Sequence, residues 1–105
     1  MVHDLILGRL NLGKSKYGHG VRVCMNTMSW GTPRDSWMHM AIEEFLDALI
    51  YTAADYIRKF ELPGDPDDNT RILEVILNPQ CMMSSEHIKI ILTLKDLVEK
   101  CLAMQ

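Results

Sequence analysis

The chain has 105 residues, 48% of them hydrophobic and 24% charged, which is the balance of one folded domain and excludes a disordered tail. Its 11 Lys and Arg against 14 Asp and Glu leave a net charge of −3, so no broad basic face for a nucleic-acid polymer is expected. No run approaches the roughly 18 apolar residues that a membrane helix needs. The start Met1-Val2-His3-Asp4 also lacks the basic region of a signal peptide, and the expected setting is cytoplasmic, away from the membrane. Three cysteines, Cys24, Cys81 and Cys101, with no CxxC pair, read as free thiols rather than as a disulfide framework or zinc knuckle.

Residues 3–16 place Leu5, Ile6, Leu10 and Leu12 at mixed helical spacing among Arg9, Lys14 and Lys16, which predicts a first helix. Gly8 and Gly13 each weaken it by about 1 kcal/mol relative to Ala, and Gly18 and Gly20 end it. They also leave room for a neighbouring helix to come close. Val21 to Met25 alternates like a strand, but nothing similar follows to pair with it, so 17–32 is expected to be an extended loop lying over the helices. Thr32-Pro33-Arg34-Asp35 carries the signals of a helix start, with Thr32 as cap, for a long central helix from about 33–36 to Phe60. The segment from Leu62 to Asn69, with Pro63, Gly64 and Pro66, is the clearest breaker. A short helix over 70–77, capped by Asp68 or Asn69, and a fourth over about 85–103, capped by Ser84 or Ser85, complete the chain. Its apolar face is Ile88, Ile91, Leu92, Leu94, Leu97, Val98, Cys101 and Leu102. The fold class is all-α: a single-domain compact helical bundle of three long helices and one short helix, with the extended loop between the first two.

Within the central helix Glu43, Glu44 and Asp47 fall inside one turn, Glu44 and Asp47 three apart and Glu43 and Asp47 four apart, so they share a face. Crowded carboxylates repel, and the arrangement asks for a divalent metal or a basic partner. His39 stands four residues before Glu43, but no second matched His accompanies it, so it reads as an ordinary helix histidine. Asp55, two further turns along near the Glu44 face, is a lesser candidate ligand.

Glu44-x-x-Asp47, with the apolar run that follows it and the preceding Lys14-x-Lys16-Tyr17-Gly18, resembles the MazG-like all-α nucleoside triphosphate pyrophosphohydrolases, small phage-encoded members in particular. The likeness covers roughly residues 5–60, leaving 61–105 as C-terminal helices. It implies hydrolysis of a (deoxy)nucleoside triphosphate to the monophosphate and pyrophosphate, which would clean or remodel a nucleotide pool in the host cytoplasm. Mg²⁺ or Mn²⁺ would sit on Glu44 and Asp47, with Glu43 as a third ligand or as the base that orients the attacking water. Lys14, Lys16 and Arg9 would contact phosphates, Trp30 and Trp37 would stack on the base, and Tyr51 would orient a ligand carboxylate. A dimer or tetramer is expected, because two helices wall a site incompletely. The family's first acidic motif, EExxE, is absent: the first helix offers only Asp4 and is otherwise basic. The missing acids would come from Glu74 or another subunit, or Glu43 and Glu44 serve both roles, or the metal chemistry is lost.

The rival reading is a non-enzymatic helical interaction protein, a phage-type inhibitor or decoy that grips a host protein through its methionines and tryptophans. Met25, Met28, Met38 and Met40, together with Trp30 and Trp37, more commonly serve to fill a small core or anchor an interface. His19 sits between two glycines, where it either contacts a ligand or merely completes a turn.

Overall fold

The computed structural model describes residues 1–62 and 67–105, so Pro63, Gly64, Asp65 and Pro66 of the expected breaker lie outside the described residues. The elements are α1 (Val2–Tyr17), a 3-10 turn (Thr27–Trp30), α2 (Trp37–Phe60), α3 (Asn69–Leu77), a second 3-10 turn (Pro79–Cys81) and α4 (Ser85–Ala103). Three long helices and one short one are as the periodicity predicts, and no strand occurs among the described residues.

The core forms along one stripe of α2. Leu49, Ala53, Tyr56 and Ile57 meet Val75 of α3, Met82 of the connection and Ile91 of α4, all buried, with Ile72, Ile76, Ile88, Leu94 and Val98 packed around them. Spacings of three and four residues put each set on one helical face, so α2 can pack on α3 and α4 at once. Leu92 and Leu102, expected on the apolar face of α4, are about half exposed because that face is wider than the one helix it packs on.

Polar contacts fix the joints. Tyr56, almost fully buried, offers its hydroxyl oxygen to the Met83 N–H at 3.1 Å, satisfying both groups and holding the start of α4 on α2. Arg71 near the start of α3 donates to Glu61 at the end of α2 at 2.8 Å and to Glu74 at 3.1 Å, so its guanidinium bridges the two helices. Lys95 of α4 donates to the Ile76 carbonyl at 2.9 Å.

Two expectations change. The cap of α2 is Ser36, whose Oγ accepts from the His39 N–H at 3.0 Å, and the helix starts at Trp37 rather than at 33–36. Thr32 is instead buried in the preceding turn. Its hydroxyl donates to the Arg34 carbonyl at 2.6 Å and pairs with the Thr27 hydroxyl at 2.8 Å, which in turn accepts from the Ser36 N–H at 2.8 Å. Asp35 is likewise used inside this turn, accepting from the Thr27 N–H at 3.0 Å. Nor is the 17–32 segment extended throughout, for Thr27–Trp30 forms a 3-10 turn. It is tied down by the Trp37 indole N–H donating to the Val23 carbonyl at 2.8 Å. Gly31 makes its turn at φ 100°, where a side chain would be strained.

α1 stands apart from this packing. Its end is well formed: Gly18 at φ 79° returns its N–H to the Lys14 carbonyl, as its sequence suggests. Yet none of its residues is buried, and α1 is not among the helices that pack closely. The radius of gyration, 16.5 Å, exceeds the roughly 13 Å of a compact chain of this length, as a projecting helix requires.

Ile91 is fully buried and Leu92 about half exposed, which sets a direct comparison. Ile91→Ala is expected to cost about 2–5 kcal/mol in urea unfolding, and Leu92→Ala less than about 1 kcal/mol.

Candidate functional site

Between α1, the loop after it and the first turn of α2 lies a cavity of about 660 Å³. Its α1 wall is Arg9, Leu10, Gly13, Lys14 and Tyr17; the loop adds His19, Gly20, Val21, Met25 and Trp30; α2 adds Trp37 and Met40. Trp30 and Trp37 meet edge to face, with centroids 5.3 Å apart and planes at 64°. The volume is in the range of small-molecule pockets, with aromatic and thioether walls and two cations on its α1 side.

Four of the expected substrate residues, Arg9, Lys14, Trp30 and Trp37, are thus brought to one cavity. Lys16 is not in its lining; its ammonium lies over the Tyr17 ring, 5.4 Å from the centroid. Tyr51 is two-thirds exposed further along α2, and its hydroxyl meets no carboxylate among the described residues. His19, Met25 and Met40 join the site through the fold. Met40 carried a usable signal: it stands four residues before Glu44 and three after Trp37, on one helical face with both.

That face continues past the cavity. Trp37 and Met40 are followed on it by Glu44, Asp47 and Tyr51, so the carboxylates begin one turn, about 5.4 Å, beyond the cavity wall. All three acids are exposed. Glu43 has His39 beside it, Nε2 to Oε1 at 3.4 Å, while Glu44 and Asp47 have no ion-pair partner among the described residues.

No group of three or more His, Cys, Asp or Glu is gathered as a metal cage among the described residues. Glu44 and Asp47 still form a hard-oxygen pair open to solvent. Mg²⁺ is commonly held by one or two carboxylates, with substrate phosphates and water in its remaining positions, and this donor set fits that use.

Asp55 is engaged elsewhere. Its Oδ2 is 2.7 Å from His87 Nε2 and 3.1 Å from Lys59 Nζ, and His87 Nδ1 is hydrogen-bonded to Ser84 Oγ. Ser84, His87 and Asp55 are a hydrolytic trio in composition only. Ser84 is buried, outside the cavity lining, and its Oγ caps α4 by accepting from the His87 N–H at 3.3 Å. The His87 ring also lies edge-on to Tyr56 and Phe60. The arrangement is a clamp between α4 and α2. The sequence shows the cap but not the 32-residue separation that the clamp closes.

No family model, no curated protein and no solved structure matches the chain. No described helix is long and apolar enough to cross a membrane.

His87 first, and then Lys59, hold the Asp55 carboxyl below its ordinary pKa by bonding its ionised form. A carboxyl lowered by folding adds stability above the ordinary carboxylate range and loses it as the pH falls through its lowered value. Asp55→Asn is therefore expected to lower the melting temperature at about pH 7 and to differ little from the parent by about pH 2. Ser84→Ala, which removes the cap, is expected to cost about 0.5–2 kcal/mol. Thermal melts across pH read both.

Proposed function

We propose that the chain hydrolyses a (deoxy)nucleoside triphosphate to the monophosphate and pyrophosphate, with the base in the aromatic cavity and the phosphates directed along α2. The observation that carries this reading is the shared face of α2, on which the cavity residues Trp37 and Met40 lead into Glu44 and Asp47. A ligand with an aromatic end and a polyanionic end matches that order of surfaces.

Arg9 and Lys14 at the cavity supply the positive charge that offsets the phosphates, Arg9 as a fork and Lys14 as a point charge. Trp37, edge-on to Trp30, gives the base a rigid apolar face. Glu44 and Asp47 would hold Mg²⁺ or Mn²⁺, with Glu43 able to join them; that cation supplies neutralisation of the phosphate charge and of the departing pyrophosphate. Glu43 also takes the part of base. Its carboxylate accepts a proton from the water whose oxygen bonds to the α-phosphorus, while the bond from that phosphorus to the bridging oxygen breaks and pyrophosphate carries away the electron pair. His39 beside Glu43 keeps that carboxylate oriented.

The exposed apolar surface of α1 favours the second reading, a helical protein that works by gripping another protein without turnover. Metal dependence separates the two. Incubation with a panel of triphosphates and Mg²⁺ or Mn²⁺ is expected to release pyrophosphate, and Glu44→Ala or Asp47→Ala to lower the rate by about 10²–10³-fold, the usual loss when a charge-stabilising group is removed. Mn²⁺ is expected to raise the melting temperature of the parent, by about 2.7 kcal/mol of added stability at 100 times its Kd, and not that of the double variant. A chain that turns over no triphosphate and melts indifferently to metal is the interaction protein.

A further inference from the structure

We infer that His19 makes the cavity selective for bases that carry an amino group where others carry an oxo group: adenine over hypoxanthine, and cytosine over uracil. The inference rests on the proposed nucleotide reading of the cavity and adds to it a residue that reads the base. It starts from a hydrogen bond inside the loop. His19 Nδ1 lies 2.6 Å from the Gly20 carbonyl oxygen. A carbonyl oxygen can only accept, so the proton of the neutral imidazole sits on Nδ1. The other tautomer would set two lone pairs against each other at that distance. Nε2 is left as an acceptor, and it has no hydrogen-bond partner among the described residues.

Such an acceptor is scarce in this cavity. His19 is half-buried and shares the wall with Arg9, Lys14, Tyr17, Trp30 and Trp37. Guanidinium, ammonium and indole groups only donate, and the Trp37 indole is already committed to the Val23 carbonyl. The Tyr17 hydroxyl donates or accepts as required, so it suits either kind of base and separates neither. Among the side-chain nitrogens and oxygens of the lining, His19 Nε2 is therefore the one that accepts without donating. An exocyclic amino group projects beyond the edge of its base and gives Nε2 a proton to accept. An oxo group at the same place turns oxygen lone pairs towards the nitrogen lone pair and leaves Nε2 unsatisfied. The cavity is partly open to solvent, so the expected preference is about 5- to 10-fold, the worth of one net hydrogen bond.

The experiment is titration of the full chain, followed by intrinsic tryptophan emission, at about pH 8, above the range in which free histidine titrates. The ligands are the triphosphates of adenine, hypoxanthine, cytosine and uracil with methylene in place of the α,β bridging oxygen, in the presence of Mn²⁺. The parent is expected to bind the amino member of each pair more tightly by that margin. His19→Phe, which keeps a ring but no acceptor, is expected to bind both members equally. His19→Arg, which only donates, is expected to turn the preference towards the oxo members, an inversion that a merely loosened loop does not give. A parent that prefers the oxo members, a preference that survives in His19→Phe, or the absence of inversion in His19→Arg overturns the inference. Binding of all four triphosphates by the parent without discrimination overturns it and leaves the proposed hydrolysis standing, whereas binding of none overturns both.

Discussion

Everything here depends on α2 having two different faces. Ile42, Leu49, Ala53, Tyr56 and Ile57 are buried on one side, which commits that side to α3 and α4. The opposite side, from Trp37 through Met40, Glu44 and Asp47 to Tyr51, is then fixed in direction without taking part in the core. Burying the first face orders the second, and the carboxylates are presented in a set orientation by packing in which they take no part.

The electrostatics follow from that geometry. Three exposed carboxylates within one turn repel one another by a few tenths of a kcal/mol per pair, a cost that solvent screens but that no cation on α2 cancels near Glu44 and Asp47. The neutralising charge of α2 is placed at its far end, in Arg58 and Lys59, where it suits the helix C-terminus and where Lys59 pairs with Asp55. Positive charge nearest the cavity is supplied by α1 instead, through Arg9 and Lys14. The acids of this face and the two cations of the cavity thus sit on different elements, joined by a loop whose anchor to α2 is the bond from the Trp37 indole to Val23.

Much of this was legible in the sequence. Helix number, order and approximate ends came from apolar periodicity, and the start of α4 from the Ser84-Ser85 pair, of which Ser84 is the cap, since these signals are local. The start of α2 was not, because Thr32 and Ser36 are both good cap residues and only the tertiary turn around Thr27 decides between them. Arg9, Lys14, Trp37, Trp30 and His19 could each be named as a candidate ligand contact, but not that Trp30, Met25 and His19 would share one cavity with α1, since loop 18–31 places those through turns with no periodic pattern. The clamp of Asp55, His87 and Ser84 was hidden for another reason. Asp55 reads as one more acid on a helix until a histidine 32 residues away is laid against it. The isolation of α1 was equally invisible, because an apolar helix in a sequence looks the same whether its own chain or another one covers it.

Under the proposed hydrolysis, the cavity beside α1 receives the aromatic end of a triphosphate whose phosphates run towards Glu44 and Asp47. The chain has only two tryptophans, and both line that cavity, so intrinsic tryptophan fluorescence reports on it alone. Titration with a triphosphate whose α,β bridging oxygen is replaced by methylene, in the presence of Mn²⁺, is the most direct measurement. A saturable change in tryptophan emission that weakens without metal and in Lys14→Ala is the result this account predicts. Emission that stays constant through the titration, with or without metal, would contradict it.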